Sequence, residues 1–222
     1  MAEHKICAAL TGDIVRSSKM SAARLDEVRA LVVDGVAEAA KWKRGIMRGK
    51  ADFFRGDSWQ ALVVDPSFAL RVAIFLRARL ISADKADSRI AVGIGAVEKI
   101  SKTRVSLSSG EAFEVSGHAL DGMKRRRMTI AAGATLVPSL GPLADWLAAT
   151  AGLADAIISG WTARQAEVVA AALWPLDIAQ ETIAGDMSIA QQTVSDTLNA
   201  AHFDELSQLL AVFENTAWTE SQ

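Results

Sequence analysis

The period of the apolar positions changes along the chain. Residues 6–10 form a short apolar run, the pattern of a buried strand over Lys5–Leu10. From Ser21 the apolar residues fall at Leu25, Val28, Leu31, Val32, Val36 and Ala39, which is helical spacing, and KWKR followed by Gly45 ends the helix. Residues 52–55 and 58–64 read as two short strands joined by a tight turn at Gly56 and Asp57. Pro66 opens a second helix, where a missing N–H costs nothing, and Leu70, Val72, Ala73, Phe75, Leu76 and Leu80 give it an apolar face. Residues 89–97 read as a buried strand, with Gly93 and Gly95 there for close packing. The order β-α-β-β-α-β predicts an α+β fold of the split βαβ, ferredoxin-like kind: an antiparallel sheet with helices on one face.

Residues 105–107 read as one more short strand, 108–124 as a third helix with a solvated basic end at Lys124–Arg127, and 128–136 as a last strand. Residues 138–143, PSLGPL, read as a linker. The expected division is therefore an α+β domain over 1–137 and a small all-α domain over 142–222. In the second part Thr162 with Gln165, and Ser188 with Gln191, have the spacing of capping boxes. Residues 180–201 have the pattern of a helix-turn-helix, with Ile183 and Ala184 inward and Thr193, Val194 and Leu198 presented by the second helix. Trp146, Trp161, Trp174 and Trp218 read as packing anchors, and His118 as a partly buried helix residue.

Charge divides the chain the same way. Residues 1–161 carry 23 Lys and Arg against 17 Asp and Glu, whereas residues 162–216 carry Arg164 alone against eight acids. The first part suits an anionic ligand and the second does not. Gln191, Gln192, Thr193 and Asn199 have side chains able to read base edges, but DNA affinity rests on Lys and Arg contacts to phosphate. DNA is thus a possible but disfavoured partner, and dimerisation or docking is the preferred reading of the tail. The apolar runs are too short for a membrane span, the N-terminal segment lacks the pattern of a signal peptide, and Cys7 has no disulfide partner. These features predict a cytoplasmic protein with no membrane partner.

The chemistry concentrates in LTGDIVRSS, with Asp13, and FFRGDSWQALVV, with Asp57. In a β-α-β-β unit the first strand and the hairpin are neighbours, so the two carboxylates can meet at one sheet edge. Close carboxylates repel unless a cation sits between them, and hard oxygen donors favour Mg²⁺ or Mn²⁺ with a phosphorylated ligand. Gly12, Ile14, Arg16, Ser17 and Ser18 after the first strand, and Arg55 and Gly56 at the hairpin, are the expected phosphate-binding residues. Either aspartate alone would be ordinary turn chemistry.

These two segments resemble the two metal motifs of class III nucleotide cyclases, and RIAVGIGAV resembles the strand that follows them. With Gly110-Glu111-Ala112-Phe113 added, the set is similar to bacterial SatD-like proteins over residues 5–135. The resemblance implies a cyclase-like fold, metal ligation by Asp13 and Asp57, and a homodimer. It also implies an Asn and an Arg on the third helix, where this chain has Glu114 and His118, and a base-selecting Lys where it has Phe53, with Lys50 nearby. A carboxylate and an imidazole cannot supply fixed positive charge to a transition state. The expectation is a ligand-binding regulatory or sensory protein. A metal-dependent nucleotidyl cyclase-type enzyme and a catalytically dead interaction module are the alternatives.

Overall fold

The computed structural model describes residues 5–83, 86–174 and 178–218. Its centre is β1 (Lys5–Ile14), which pairs antiparallel with β3 (Ser58–Val63) on one side and β4 (Ser88–Val97) on the other. The edge strand β2 (Met47–Arg55) pairs antiparallel with β3, and β5 (Met128–Ala132) runs parallel to β4, giving the order β2-β3-β1-β4-β5. The first four strands, in the order β2-β3-β1-β4, are two interleaved split βαβ units. The ferredoxin-like core is thus present, extended by one strand.

Alternation along β1 explains the layers. Ala8, Leu10 and Ile14 enter the main core with α1 (Ala22–Ala39) and α2 (Ala69–Ser82). Cys7 and Ala9 point the other way, into a smaller cluster with Ala112 and Phe113 of α3 (Glu111–Gly122). Helices therefore cover both faces, not one. The reason is legible in β4, where a Cβ on Gly93 would lie 2.4 Å from the Ala112 carbonyl oxygen: glycine lets α3 lie directly on the sheet. Thr11 of β1 and Ser116 of α3 satisfy each other's hydroxyls across this layer at 2.7 Å. Burial raises the Cys7 thiol pKa to about 11, which leaves it an inert core residue.

Several local expectations are corrected. β1 runs on to Ile14, so Gly12 and Asp13 lie inside the sheet and not in a turn after it. Residues 105–107 form a 3₁₀ turn, and so does Pro66–Phe68, capped by Asp65, just ahead of α2. Residues 138–143 are not an extended linker: they contribute to α4 (Val137–Leu140) and the start of α5 (Leu143–Ser159), and Leu140 is buried. The remaining helices are α6 (Ala163–Ala172), α7 (Gln180–Asp186), α8 (Gln191–Ala200) and α9 (Phe203–Glu214). Thr162 and Gln165 form their capping box at the start of α6. Ser188 forms none; it sits at φ 54°, and Ala190 precedes α8 without a side-chain cap.

The hydrophobic core is continuous from the sheet into the tail, since Leu70 and Phe75 share a cluster with Leu147, Val169 and Leu210. Trp42, edge-on to both Phe75 and Trp174, helps close this seam. Trp161 and Trp218 are buried as expected, while Trp146 is 63% exposed. A buried ionic network crosses the same seam. Arg77, on the apolar face of α2 with 0% exposure, binds Asp87 through Nε and Nη2 at 3.0 and 2.8 Å and Asp155 of α5 at 2.7 Å. Arg127, expected in a solvated basic run, donates to Asp87 at 2.7 Å, and its backbone N–H donates to Asp155 at 2.9 Å. Burial disfavours the Arg77 charge, but Asp87 and Asp155 more than offset it and push its pKa upward.

Candidate functional site

The end of β1, the turn after it and the tip of the β2–β3 hairpin enclose a cleft of about 250 Å³, lined by Asp13 to Ser18, Asp57 and Arg89. Pairing sets this geometry. Asp13 lies opposite Ser58 on one side and opposite Arg89 on the other, which brings the residue after the hairpin tip beside the end of β1. The Ile14 N–H donates to the Asp57 carbonyl at 3.2 Å, and the Ser17 hydroxyl donates to the Asp57 carboxylate. The Val15 N–H donates to the Asp87 carbonyl at 2.9 Å, so the turn also rests on the residue that anchors the buried network.

Arg16 turns the chain. It is left-handed, at φ 60°, and is followed by the one-turn 3₁₀ helix Ser17–Lys19. Lys19 and Met20 donate back to Arg16 and Ser17. Among the described residues the backbone N–H groups of Arg16, Ser17 and Ser18 have no acceptor. Successive free N–H groups around a left-handed residue form the kind of concavity that accepts an anion.

Arg89 is the residue that sequence reasoning missed. Its Nε and Nη2 engage both oxygens of Asp13, with Nε to Oδ1 at 2.8 Å, and its Nη1 donates to the Met123 carbonyl at 3.1 Å. The hydrogen bonds to Asp13 hold the Arg89 pKa above its usual value, against the effect of burial, with Asp121 and Asp57 adding attraction. A chain-level signal existed: Asp13 is the only acid of β1, and Arg89 is the only charged residue of β4. Their register could not be read from one sequence.

Not every expected site residue lines the cleft. Gly12 is buried, and a Cβ there would lie 2.6 Å from the Trp59 ring; it serves packing of that tryptophan. Ile14 puts its side chain in the core and offers the cleft only backbone. Arg55 and Gly56 are exposed at the hairpin, outside the cleft, and the Gly56 carbonyl accepts from Arg29 of α1 at 2.9 Å. Glu114 and His118 are exposed on α3 and do not reach the cleft either. Gln191, Gln192, Thr193 and Asn199 are exposed on α8, whereas Val194 and Leu198, expected to be presented, are buried.

The fit of a divalent cation is decided by these contacts. Asp13 already has a two-point cationic partner, Asp57 accepts a hydroxyl, and among the described residues no group of three or more His, Cys, Asp or Glu side chains could hold a metal ion. Mg²⁺ and Mn²⁺ do not fit the cleft in this arrangement.

No family model and no curated protein sequence matches the chain. Solved structures similar to it include guanylyl cyclase domains. The monomeric guanylyl cyclase domain of the RhoGC fusion protein from the aquatic fungus Blastocladiella emersonii is 17% identical, with 58% of this chain and 82% of that chain covered, at a TM-score of 0.45. The guanylate cyclase domain of RhGC from Catenaria anguillulae, in complex with GTP, is 14% identical, with 64% and 85% covered, at 0.45. The catalytic core of a rhodopsin-guanylyl cyclase with converted specificity, in complex with ATPalphaS, is 15% identical, with 63% and 83% covered, at 0.46. The fold assignment rests on the strand order and not on this likeness. No helix among the described residues is long and apolar enough to cross a membrane.

Proposed function

We propose that the chain is a cytoplasmic regulatory or sensory protein, of the SatD-like kind, which binds a phosphorylated ligand at the Asp13–Asp57 cleft. In this reading residues 1–137 carry the site, and residues 142–222 mediate homodimerisation or docking. The observation that carries it is the turn Arg16–Ser18, with three free N–H groups in a row beside the Ser18 hydroxyl and two guanidinium groups. A cleft of about 250 Å³ lies below the ~300–1,000 Å³ range of drug-sized ligands, so it takes a phosphoryl group and leaves the rest of the ligand outside. The two carboxylates are engaged by Arg89 and Ser17, and Glu114 and His118 lie elsewhere, so binding is favoured over turnover. Mg²⁺ or Mn²⁺ enters this reading only where Arg89 has left Asp13.

Thermal unfolding tests the reading, with pyrophosphate, ATP or GTP added in the presence of a chelator. A ligand that binds only the folded state at about a hundred times its Kd adds roughly 2.7 kcal/mol. The expected result is stabilisation of the wild type and loss of most of the shift in Arg16→Asn, which keeps a residue tolerant of left-handed backbone and removes the charge. Absence of a shift with all three probes, with and without Mn²⁺, sinks the reading.

A further inference from the structure

The fork between Arg89 and Asp13 has a consequence for what the cleft accepts. Asp13 and Arg89 are cross-strand partners in the β1–β4 register, so their side chains stand on the same face of adjacent strands, within reach of each other for as long as the sheet is formed. Arg89 is also fixed from a third direction, by the Met123 carbonyl just beyond α3. Two carboxylates in one cleft ordinarily need a cation between them. Here the cation is a side chain of the chain itself: Arg89 lines the same cleft as both aspartates and satisfies both oxygens of one of them.

We propose that Arg89 is a built-in counter-ion that takes the place of a divalent cation at Asp13, so that the resting cleft rejects Mg²⁺ and Mn²⁺ and accepts an anionic phosphoryl group without metal. This deepens the phosphorylated-ligand reading and rests on it. The guanidinium has a geometric advantage over a metal at this position. It matches a carboxylate in a planar, two-point fork. A small hard cation needs near-octahedral oxygen coordination and gives up its waters reluctantly. The cleft offers that cation one carboxylate already paired and a second that accepts a hydroxyl. Removing the guanidinium should leave two carboxylates without that counter-charge at one end of the sheet, which is the arrangement that recruits a divalent ion.

The test is binding of Mn²⁺ alone, read by electron paramagnetic resonance, to the full chain as wild type, Arg89→Gln, Arg89→Lys and Arg89→Gln with Asp13→Asn. Folding of each is verified by circular dichroism. The expected result is one Mn²⁺ bound at least tenfold more tightly by Arg89→Gln than by the wild type. The Asp13→Asn change should abolish the gain. Arg89→Lys, which keeps the charge but not the fork, should fall between. If the wild type binds one Mn²⁺ as tightly as Arg89→Gln, or if Arg89→Gln is folded and binds none, the proposal is overturned. The wild-type arm needs no variant, so tight binding there overturns it even if Arg89→Gln does not fold. The two readings fail separately: pyrophosphate stabilising the wild type in chelator keeps the anion site even where the Mn²⁺ result removes the role of Arg89. Gain of Mn²⁺ binding without any phosphate effect removes the anion site and leaves Arg89 as a cation substitute.

Discussion

Arg77 of α2 meets Asp155 of α5 at 2.7 Å, with no exposed surface on the arginine side chain, across 78 positions of sequence. The pair ties the sheet-bearing part of the chain to its helical tail, and through Asp87 it reaches the turn that borders the candidate site. A buried pair of this kind is weak evidence for net stability, because desolvation offsets its attraction. Removing Asp155 is different, since Arg77 and Arg127 then share Asp87 as their only acid, and a net positive charge is left in the buried network. Asp155→Ala is expected to cost about 3–5 kcal/mol in urea unfolding, with an unchanged denaturant slope. A loss below about 1 kcal/mol would show that the network relaxes around the gap and that the tail is not held by it.

Gly12 offers a second test, which separates packing from ligand binding. The indole of Trp59 and the carbonyl of Arg89 occupy the space where a Cβ would stand, each at 2.6 Å. Gly12→Ala should therefore destabilise by about 1–3 kcal/mol through overpacking. The near-ultraviolet signal of the tryptophans should change with it, because the Trp59 Nε1 donates to Ser88 at 3.0 Å and any shift of the ring strains that bond. An unaltered unfolding midpoint would mean that the sheet yields locally and that Gly12 is free for another role.

Glu111 gives a pH dependence of definite sign. Burial works to raise its pKa, but hydrogen bonds from the Thr135 side chain and backbone and from the Ala96 N–H outweigh it and hold it below the usual carboxylate value. A depressed carboxyl pKa contributes stability that is present above the unfolded value and lost as pH falls through the folded one. Asp52, held low against burial by Arg104 and Ser106, acts in the same direction. Glu111→Gln should thus lower the unfolding midpoint more at pH 7 than at pH 3. An equal loss at both would remove the charged hydrogen bonds as the cause.

The ferredoxin-like order was legible because each element changes the apolar period: alternation or short runs in the strands, three-and-four spacing in α1 and α2. The long apolar run at 89–97 also hinted at a strand buried on both faces, and the position of α3 agrees with that pattern rather than with helices on one side only. Other features depend on long-range pairing, which one sequence does not encode in readable form. The apolar run ends at Leu10, which predicts that the first strand stops there, yet two neighbouring strands hold Gly12 and Asp13 extended. Arg77 lies in the same helix as Leu70, Ala73 and Leu80, and its acids, Asp87 and Asp155, carry no mark in the sequence by which to select them. Arg89 escaped for the same reason: its partner is set by strand register.

The tail supplies the last prediction. α7 and α8 are joined by a turn through Met187 and Ser188, and α8 carries Gln191, Gln192, Thr193 and Asn199 on its exposed side. Two of these are already engaged: Gln191 donates to Gln180 at 3.1 Å, and Gln192 to Asp196 at 2.8 Å. The helix itself has no Lys or Arg, and Arg164, the single base between residues 162 and 216, pairs with Glu167 at 2.6 Å. Affinity for duplex DNA grows with the number of phosphates neutralised, roughly as a slope of −0.9 per contact in log affinity against log salt. The tail offers almost none. Mixed-sequence duplex DNA should therefore show no mobility shift even at low salt, and Gln192→Ala should change nothing. A shift that weakens steeply with salt would place DNA contacts on this protein, with the basic first part supplying the phosphate contacts and α8 reading the bases.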